Sequence, residues 1–254
     1  MKIALVQSSL FWENPTANRS HFDEKMNALD QDVDLVVLPE MFSTGFTMQP
    51  KTVAEDMQGE TVLWLQSLAK AKNIAITGSL VIKENDSYYN RLLFVFPSGE
   101  IQFYNKRHLF TLAGEDQIYK SGNDKLIIEY KGWKICPLVC YDLRFPVFAR
   151  NVEDYDLLIY VANWPSSRIQ AWDALLKARA IENMSYTIGV NRIGQDDYKL
   201  EYNGHSQVVD FIGNYILEPI EAKGVFIVEL NKAEQLLARK KFNFLNDRDS
   251  FVLK

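Results

Sequence analysis

The sequence predicts an α/β protein in which helices and strands form a layered sandwich. Strand-like apolar segments alternate along the chain with segments of helical periodicity, and several neighbouring strands are joined by short turns. The predicted strands are too numerous for one twisted open sheet, which favours two packed sheets. A length of 254 residues suits one large domain, so we expect residues 1–254 to form a single domain.

The first half of the chain alternates between strands and helices. One helix is predicted from Asn14-Pro15 to about Leu29, because Asn caps a helix well and Pro suits its first position. A second helix is predicted over Thr61–Lys72 from its apolar periodicity. The predicted strands are Ile3–Val6, Leu35–Leu38, Ile74–Leu80, and a hairpin of Tyr88–Phe96 with Ile101–Tyr104 about the turn Pro97-Ser98-Gly99-Glu100.

The second half begins with a hairpin, in which Leu126–Tyr130 pairs with Trp133–Val139 across Lys131-Gly132. Helices are predicted over Ile169–Asn183 and Asn231–Arg239. The remaining predicted strands are Leu157–Val161, Ser185–Val190, Gln207–Asp210, Tyr215–Glu218 and Val225–Leu230.

The composition excludes several classes of protein. The net charge is −5 and the 28 basic residues are scattered, whereas a nucleic-acid partner normally requires a basic stripe. No apolar run is long enough to cross a membrane, and no long apolar segment follows Met1 as in a signal peptide. On one extended strand Cys136 and Cys140 would lie about 13 Å apart, too far to form a disulfide. The cytoplasm is the expected compartment.

Three chemically useful residues follow directly on three predicted strands. Glu40 follows Leu35–Leu38 and Pro39, Lys106 follows Ile101–Tyr104, and Cys140 follows Trp133–Val139. Open α/β sheets bind their ligands at the carboxyl ends of strands. A single Glu, Lys or Cys in such a place is usually solvated or inert, but all three together indicate a catalytic site.

The chemistry of the three residues is complementary. A thiol reacts as the thiolate, which requires a nearby base or a positive field. Glu40 can take the proton of the Cys140 thiol, pass it to a leaving amine, and then accept a proton from water. Lys106 offsets the repulsion between carboxylate and thiolate and can stabilise a tetrahedral oxyanion, as can the backbone amides of the sharp turn after Cys140.

At these residues the chain resembles the nitrilase superfamily of carbon–nitrogen hydrolases. The Glu–Lys–Cys triad of that family lies in motifs similar to Leu38-Pro39-Glu40-Met41-Phe42, Asn105-Lys106-Arg107-His108-Leu109-Phe110 and Leu138-Val139-Cys140-Tyr141-Asp142-Leu143-Arg144-Phe145-Pro146. The resemblance implies a four-layer α-β-β-α sandwich, assembly into homodimers or larger homo-oligomers, and no metal or organic cofactor. It also implies that a second glutamate, Glu115, assists near the lysine.

Within the family the chain is most similar to the omega-amidase (2-oxoglutaramate amidase) branch. The motifs that carry this similarity are Tyr141–Pro146, Ala162-Asn163-Trp164-Pro165, Ala178-Arg179-Ala180-Ile181-Glu182-Asn183 and Gly189-Val190-Asn191-Arg192. The resemblance implies hydrolysis of the distal amide of a small 2-oxo-dicarboxylate monoamide through a Cys140 thioester, with release of ammonia. The partners it implies are a small amide and water.

Five residues are predicted to bind the substrate. Arg144 is either a structural ion-pair partner or the anchor of a substrate carboxylate, and Arg168 is either solvated or a second anchor. Trp164 and Phe46 either wall a small pocket or belong to the core. Tyr141, beside Cys140, completes the set.

The sequence is also compatible with other functions. The substrate could instead be an N-carbamoyl amino acid or a nitrile, and a non-catalytic binding protein on the same fold is a further alternative. Cys136, in the middle of a strand, is expected to be structural. A cysteine–histidine pair is disfavoured, because His21 is expected on the surface of a helix, His108 to support its loop, and His205 to lie in a loop. The cysteines and histidines show no zinc-ligand spacing.

Overall fold

The computed structural model describes residues 1–29 and 32–252, which form two large sheets and a small hairpin. The strands of the first sheet are β1 (Lys2–Gln7), β2 (Leu35–Val37), β3 (Ala75–Glu84), β4 (Ser87–Val95), β5 (Ile101–Asn105) and β14 (Gly224–Glu229). Those of the second are β6 (Ile128–Tyr130), β7 (Trp133–Val139), β8 (Leu157–Ala162), β9 (Tyr186–Asn191), β12 (Ser206–Val209) and β13 (Tyr215–Ile220). In space the first sheet has the order β14-β1-β2-β3-β4-β5 and the second β13-β12-β9-β8-β7-β6.

Helices and short 3₁₀ turns connect the strands. The α-helices are α1 (Pro15–Asn27), α2 (Pro50–Val53), α3 (Glu60–Lys72), α4 (Glu115–Ile118), α5 (Pro146–Ala149), α6 (Ile169–Asn183) and α7 (Lys232–Phe242). The 3₁₀ turns are Thr111–Ala113, Cys140–Arg144, Ser166–Arg168 and Phe244–Asp247. No helix in residues 1–29 or 32–252 combines the length and apolar character that crossing a membrane requires.

Alternation along the strands produces the layers, because successive side chains point to opposite faces of a sheet. Ile3 and Leu5 of β1 lie in an apolar cluster shared with the second sheet. Ala4 and Val6 lie in another cluster, together with side chains of α1 and α3 such as Phe22. On the other side of the molecule, α6 packs so closely on β9 that a side chain at position 189 would collide with Trp172 and Leu176. The four-layer α-β-β-α sandwich is therefore confirmed.

The predicted elements are confirmed in kind, with small shifts at their ends. Asn14 caps α1 by accepting a hydrogen bond from the amide of Ala17, as expected. The strand predicted to end at Leu80 continues to Glu84. Cys140 does not lie on the strand with Cys136, because the strand ends at Val139 and Cys140 begins a 3₁₀ turn.

The sequence prediction contains no counterpart of the four-residue helices α2 and α4 or of a further hairpin. The hairpin of β10 (Ile193–Gln195) and β11 (Glu201–Asn203) stands apart from both large sheets. Its strands are short and carry no regular apolar alternation, so they give no strand signal.

Both large sheets have a parallel centre, which fixes where functional side chains meet. Strands β1, β2 and β3 run parallel, as do β7, β8 and β9. Glu40 lies just beyond β2 in the first sheet, whereas Cys140 and Asn163 directly follow β7 and β8 in the second. Residues from the ends of both sheets therefore meet in one place.

Candidate active site

Two glutamates and one lysine form a fully buried charge cluster. The Lys106 ammonium lies 2.9 Å from Glu40 Oε1 and 2.9 Å from Glu115 Oε2. All three side chains are closed off from solvent. The structure thus brings together Glu40, Lys106 and Glu115, three of the four residues predicted to be catalytic. Glu115 lies beside the lysine, where the family resemblance places it.

The carboxylate of Glu40 is held by donors on both oxygens. The side-chain amide of Asn90 donates to Oε1 at 2.8 Å and also to Glu115 Oε1 at 3.2 Å. The backbone amide of Asn163 donates to Oε2 at 2.8 Å, and its side-chain amide donates to the Glu40 carbonyl at 2.7 Å. Glu40 is therefore fixed from both sheets at once.

Glu115 lies at the start of α4 and turns its carboxylate inward. One oxygen accepts the backbone amide of Phe110 at 2.6 Å, and both oxygens accept from Lys106. Burial raises the pKa of Glu115, although the nearby Lys106 opposes this. Burial would lower the pKa of Lys106, but Glu115 and Glu40 outweigh it and hold that pKa above its ordinary value. Lys106 is therefore an ammonium at neutral pH.

Cys140 stands in a left-handed backbone conformation, with φ of 46°. A β-carbon disfavours this conformation, and such residues are concentrated at functional sites. Asp142 fixes the turn, since its carboxylate accepts the Val139 amide at 3.0 Å and the Tyr104 hydroxyl at 2.8 Å. The Cys140 sulfur lies 4.0 Å from the carbonyl oxygen of Asn163, next to the charge cluster.

The environment of the Cys140 thiol favours the neutral form. Burial raises its pKa well above the ordinary value, Glu40 raises it further by charge and by a hydrogen bond, and Lys106 lowers it. A thiolate beside both carboxylates would leave two negative charges uncompensated by the single ammonium. Transfer of the thiol proton to Glu40 leaves the net charge of the cluster unchanged, so this is the favourable route to a thiolate.

A cavity of about 450 Å³ opens onto Cys140 and Lys106. Its wall is largely aromatic and apolar, as is usual for small-molecule sites. The residues that line it are Phe46, Met48, Lys106, Phe110, Ala113, Cys140, Tyr141, Arg144, Asn163, Trp164, Pro165, Arg168, Asp196, Tyr198, Leu200 and Tyr202.

Comparison with known proteins shows the family to which the chain belongs. The model of the family described as carbon-nitrogen hydrolase matches residues 2–239. The chain belongs to the carbon–nitrogen hydrolase family. It is an amide-hydrolysing enzyme, because it belongs to this family and its relatives include proteins named as omega-amidase and 2-oxoglutaramate amidase.

Two relatives and one crystal structure illustrate where this carbon–nitrogen hydrolase stands in its family. It is 43% identical to the omega-amidase YafV of Escherichia coli K12, over 100% of this chain and 98% of the relative. It is 29% identical to a 2-oxoglutaramate amidase of Bacillus subtilis, over 96% of each chain. A CN-hydrolase superfamily protein from Xanthomonas campestris, solved with an arsenic adduct in its active site, is 44% identical, with a TM-score of 0.98 over 100% of this chain and 99% of that one.

All five predicted substrate-binding residues of this hydrolase line the cavity. The Arg144 guanidinium is 4.9 Å from the centre of the Trp164 ring, and that of Arg168 is 5.2 Å from the centre of the Phe110 ring. Neither guanidinium forms an ion pair with any residue in 1–29 or 32–252, so the structure offers no ion-pair role for Arg144. The centre of the Phe46 ring lies 5.2 Å from the Lys106 ammonium, and the Tyr141 ring packs edge-on against Phe110.

Two groups of residues at the site were not predicted from the sequence. Asn90 and Asn163 hold the carboxylates, and Asn163 follows a strand in the same way as Glu40, so the strand-end rule could have found it. The hairpin residues Asp196, Tyr198, Leu200 and Tyr202 also line the cavity. Their hairpin was not predicted, so no signal pointed to them.

The histidines of the hydrolase serve other purposes. His108 Nδ1 lies 2.7 Å from Asp142 Oδ1, and the ring stacks on Phe145, so it supports the loop as expected. His205 lies in a loop beside Asp173. His21 lies on α1 and is partly exposed, and its Nε2 lies 2.7 Å from Ser8 Oγ. Within the described ranges no group of three or more acidic, histidine or cysteine side chains could hold a metal.

Proposed function

We propose that this hydrolase removes the distal amide of a small 2-oxo-dicarboxylate monoamide, with Cys140 as nucleophile. The observation that carries the proposal is one cavity lined by Cys140 and Lys106 and also by Arg144 and Arg168, which have no acidic partner among residues 1–29 and 32–252. A short substrate with an amide at one end and a carboxylate at the other matches both features. The relatives named as omega-amidase and 2-oxoglutaramate amidase support the same substrate class.

The reaction follows from the positions of the charges. Glu40 takes the proton of the Cys140 thiol, and the sulfur attacks the amide carbon to give a tetrahedral oxyanion. The Lys106 ammonium stabilises this oxyanion, together with the leading amides of the Cys140–Arg144 turn, which have no partner within the turn. Glu40 then protonates the leaving nitrogen, ammonia departs, and a thioester remains on Cys140.

Water completes the cycle. Glu40 accepts a proton from a water molecule, whose oxygen attacks the thioester carbon. The C–S bond then breaks to release the dicarboxylate, and Glu40 returns its proton to the sulfur, which restores the thiol and the Glu40 carboxylate. Glu115 does not exchange protons in this scheme. Its carboxylate accepts hydrogen bonds from the Lys106 ammonium beside Glu40, so that Lys106 keeps its charge and its place.

A substrate panel tests the proposal. We expect ammonia release from 2-oxoglutaramate or 2-oxosuccinamate to exceed that from an N-carbamoyl amino acid or a nitrile. Hydroxylamine should divert the acyl group to a hydroxamate, and Cys140→Ala should abolish both products. Cys136→Ala is the matched control and should retain turnover, because Cys136 is buried in the core. Substantial turnover by Cys140→Ala would rule out the thioester.

Arg144 is proposed as the anchor of the substrate carboxylate, with Arg168 as the second cation. A planar guanidinium grips a carboxylate through paired hydrogen bonds, so Lys is a poor replacement. Arg144→Lys should lower kcat/KM for 2-oxoglutaramate by about ten- to hundredfold. An uncharged amide of similar length serves as the control and should lose much less. Equal losses on the two substrates would show that Arg144 does not hold the carboxylate.

Three further expectations are proposals of the same kind. Residence in the cytoplasm is supported by the two free cysteines, Cys136 and Cys140, because disulfides are rare in that compartment. Assembly into a homodimer or larger homo-oligomer, and folding of residues 1–254 as a single domain, are supported by the family resemblance and the chain length. Sedimentation of the purified protein measures its oligomeric state. The cooperativity of its unfolding tests whether residues 1–254 fold as one domain.

A further inference from the structure

The motif Ala178–Asn183 at the end of α6 lies outside the cavity, yet one of its residues reaches the turn that carries Cys140. Arg179 is buried, with 3% of its surface exposed. Its Nη2 donates to the backbone carbonyl of Leu143 at 2.6 Å, and its Nη1 lies 3.0 Å from Glu182 Oε1. Arg179 is not among the residues that line the cavity.

Leu143 belongs to the 3₁₀ turn that begins with Cys140. The last carbonyls of a helical turn have no partner within it, and the negative end of its dipole favours a cation there. The Arg179 guanidinium meets both needs. The opposite end of the turn is held by the Asp142 carboxylate through the Val139 amide.

The turn needs support at both ends because it begins in a disfavoured conformation. Cys140 has φ of 46°, and a residue keeps such a conformation only when its surroundings determine it strongly. Three residues of the turn, Cys140, Tyr141 and Arg144, line the cavity. The orientation of the turn thus determines the positions of the Cys140 sulfur, the leading backbone amides and the Arg144 guanidinium.

We propose that Arg179 is a positioning residue for the reaction, acting through its hydrogen bond to the Leu143 carbonyl. Without this donor the buried carbonyl has no partner and the turn relaxes, which displaces the Cys140 sulfur and the leading amides from the amide carbon. This inference rests on the proposed role of Cys140 as nucleophile. Arg179 touches neither substrate nor reacting atoms.

Two substitutions separate the hydrogen bond from the bulk of the side chain. Arg179→Met keeps an apolar stem without a donor and should lower kcat by about 10- to 100-fold, the cost of a small misplacement at a reacting centre. It should also shift the pH profile of Cys140 alkylation by iodoacetamide to higher pH, because the displaced amides no longer favour the thiolate. Arg179→Lys retains a charged donor and should recover part of both losses. Glu182→Gln leaves the bond to Leu143 in place and should behave as the parent protein.

A stability control separates positioning from loss of fold. Leu65→Ala creates a cavity beneath α3, in the opposite outer layer, and should lower the melting temperature while kcat and the alkylation profile stay unchanged. An unchanged kcat and profile in a folded Arg179→Met, or equal kcat losses in Leu65→Ala, would overturn the inference. Turnover by Cys140→Ala would instead contradict the proposed nucleophile, so the two failures are distinguishable.

Discussion

At the residue scale, the chemistry depends on how one proton is shared between Cys140 and Glu40. The thiol pKa is raised by burial and by Glu40, and lowered by Lys106. The ammonium of Lys106 is in turn shared by Glu40 and Glu115, while Asn90 and Asn163 fill the remaining positions around Glu40. Each partner therefore affects both the rate of proton transfer and the resting charge of the thiol.

This arrangement predicts that two inactive variants differ in thiol reactivity. Glu40→Gln and Lys106→Met should both lower kcat. For Glu40→Gln the loss should be about 10²- to 10⁴-fold, because acid–base catalysis is lost. At a fixed pH below the thiol pKa, Glu40→Gln should speed alkylation of Cys140, because the carboxylate that raises the pKa is gone. Lys106→Met should slow it, because the ammonium that lowers the pKa is gone.

Alkylation by iodoacetamide in a Cys136→Ala background measures this difference, since Cys140 is then the single cysteine of the sequence. If both variants change the alkylation rate in the same direction, the assignment of charges around the thiol is wrong.

At the element scale, the β10–β11 hairpin forms one wall of the cavity, and Asp196 holds its turn together. Asp196 accepts the Leu200 amide at 2.9 Å and the Tyr202 hydroxyl at 2.8 Å. Arg192 lies beneath it, with its guanidinium 4.6 Å from the centre of the Tyr202 ring and Nη2 donating to the Gln195 carbonyl. Leu200 and Tyr202 both face the cavity, so the shape of the hairpin shapes the pocket.

We expect Asp196→Ala to raise KM for the preferred amide by about tenfold, with a much smaller effect on kcat. The hairpin loses two hydrogen bonds and becomes less ordered, whereas the Cys140 cluster is not touched. Tyr202→Phe is the matched control, because it removes one of those bonds and keeps the ring on Arg192, so its effect on KM should be smaller. A fall in kcat with unchanged KM would contradict a role in shaping the pocket.

At the scale of the whole molecule, Asp34 connects the two sheets. It stands just before β2, accepts the Lys2 amide at 2.8 Å, and pairs with Lys131 in the β6–β7 turn of the other sheet. The Tyr130 hydroxyl also donates to the Asp34 carbonyl, at 3.1 Å. Burial works to raise the pKa of Asp34, but the hydrogen bonds from Lys131 and Lys2 outweigh it and lower that pKa.

The sign of the pH dependence follows from this lowered pKa. A carboxyl whose pKa is depressed by folding stabilises the folded state above its unfolded value of about 4, and this contribution is lost as the pH falls through the folded value. Asp34→Asn should therefore lower the urea midpoint at neutral pH, and the difference should vanish in acid. The effect should be small, because solvent screens a partly exposed pair. Exposed Asp124→Asn is the control and should show no such difference; a difference for Asp34→Asn that persisted in acid would contradict the ion pair.

Much of this protein was determined by local features of its sequence. Apolar alternation and helical periodicity predicted both large sheets and the long helices, because each element must bury one face whatever its neighbours are. The motifs around Glu40, Lys106 and Cys140 predicted the family, which the comparisons confirm. The roles of these residues in catalysis stay predictions, although their side chains do meet as the strand-end rule required.

The tertiary structure alone decided how the site is completed. Glu40 and Asn163 lie on different sheets, and their contact exists because the two sheets pack face to face. The place of the β10–β11 hairpin in the cavity wall beside Cys140 and the contact of Arg179 with the Leu143 carbonyl likewise join segments far apart in the chain. Periodicity and local motifs report which face of an element is buried. They do not report which distant polar groups meet there, because those pairings depend on packing between layers.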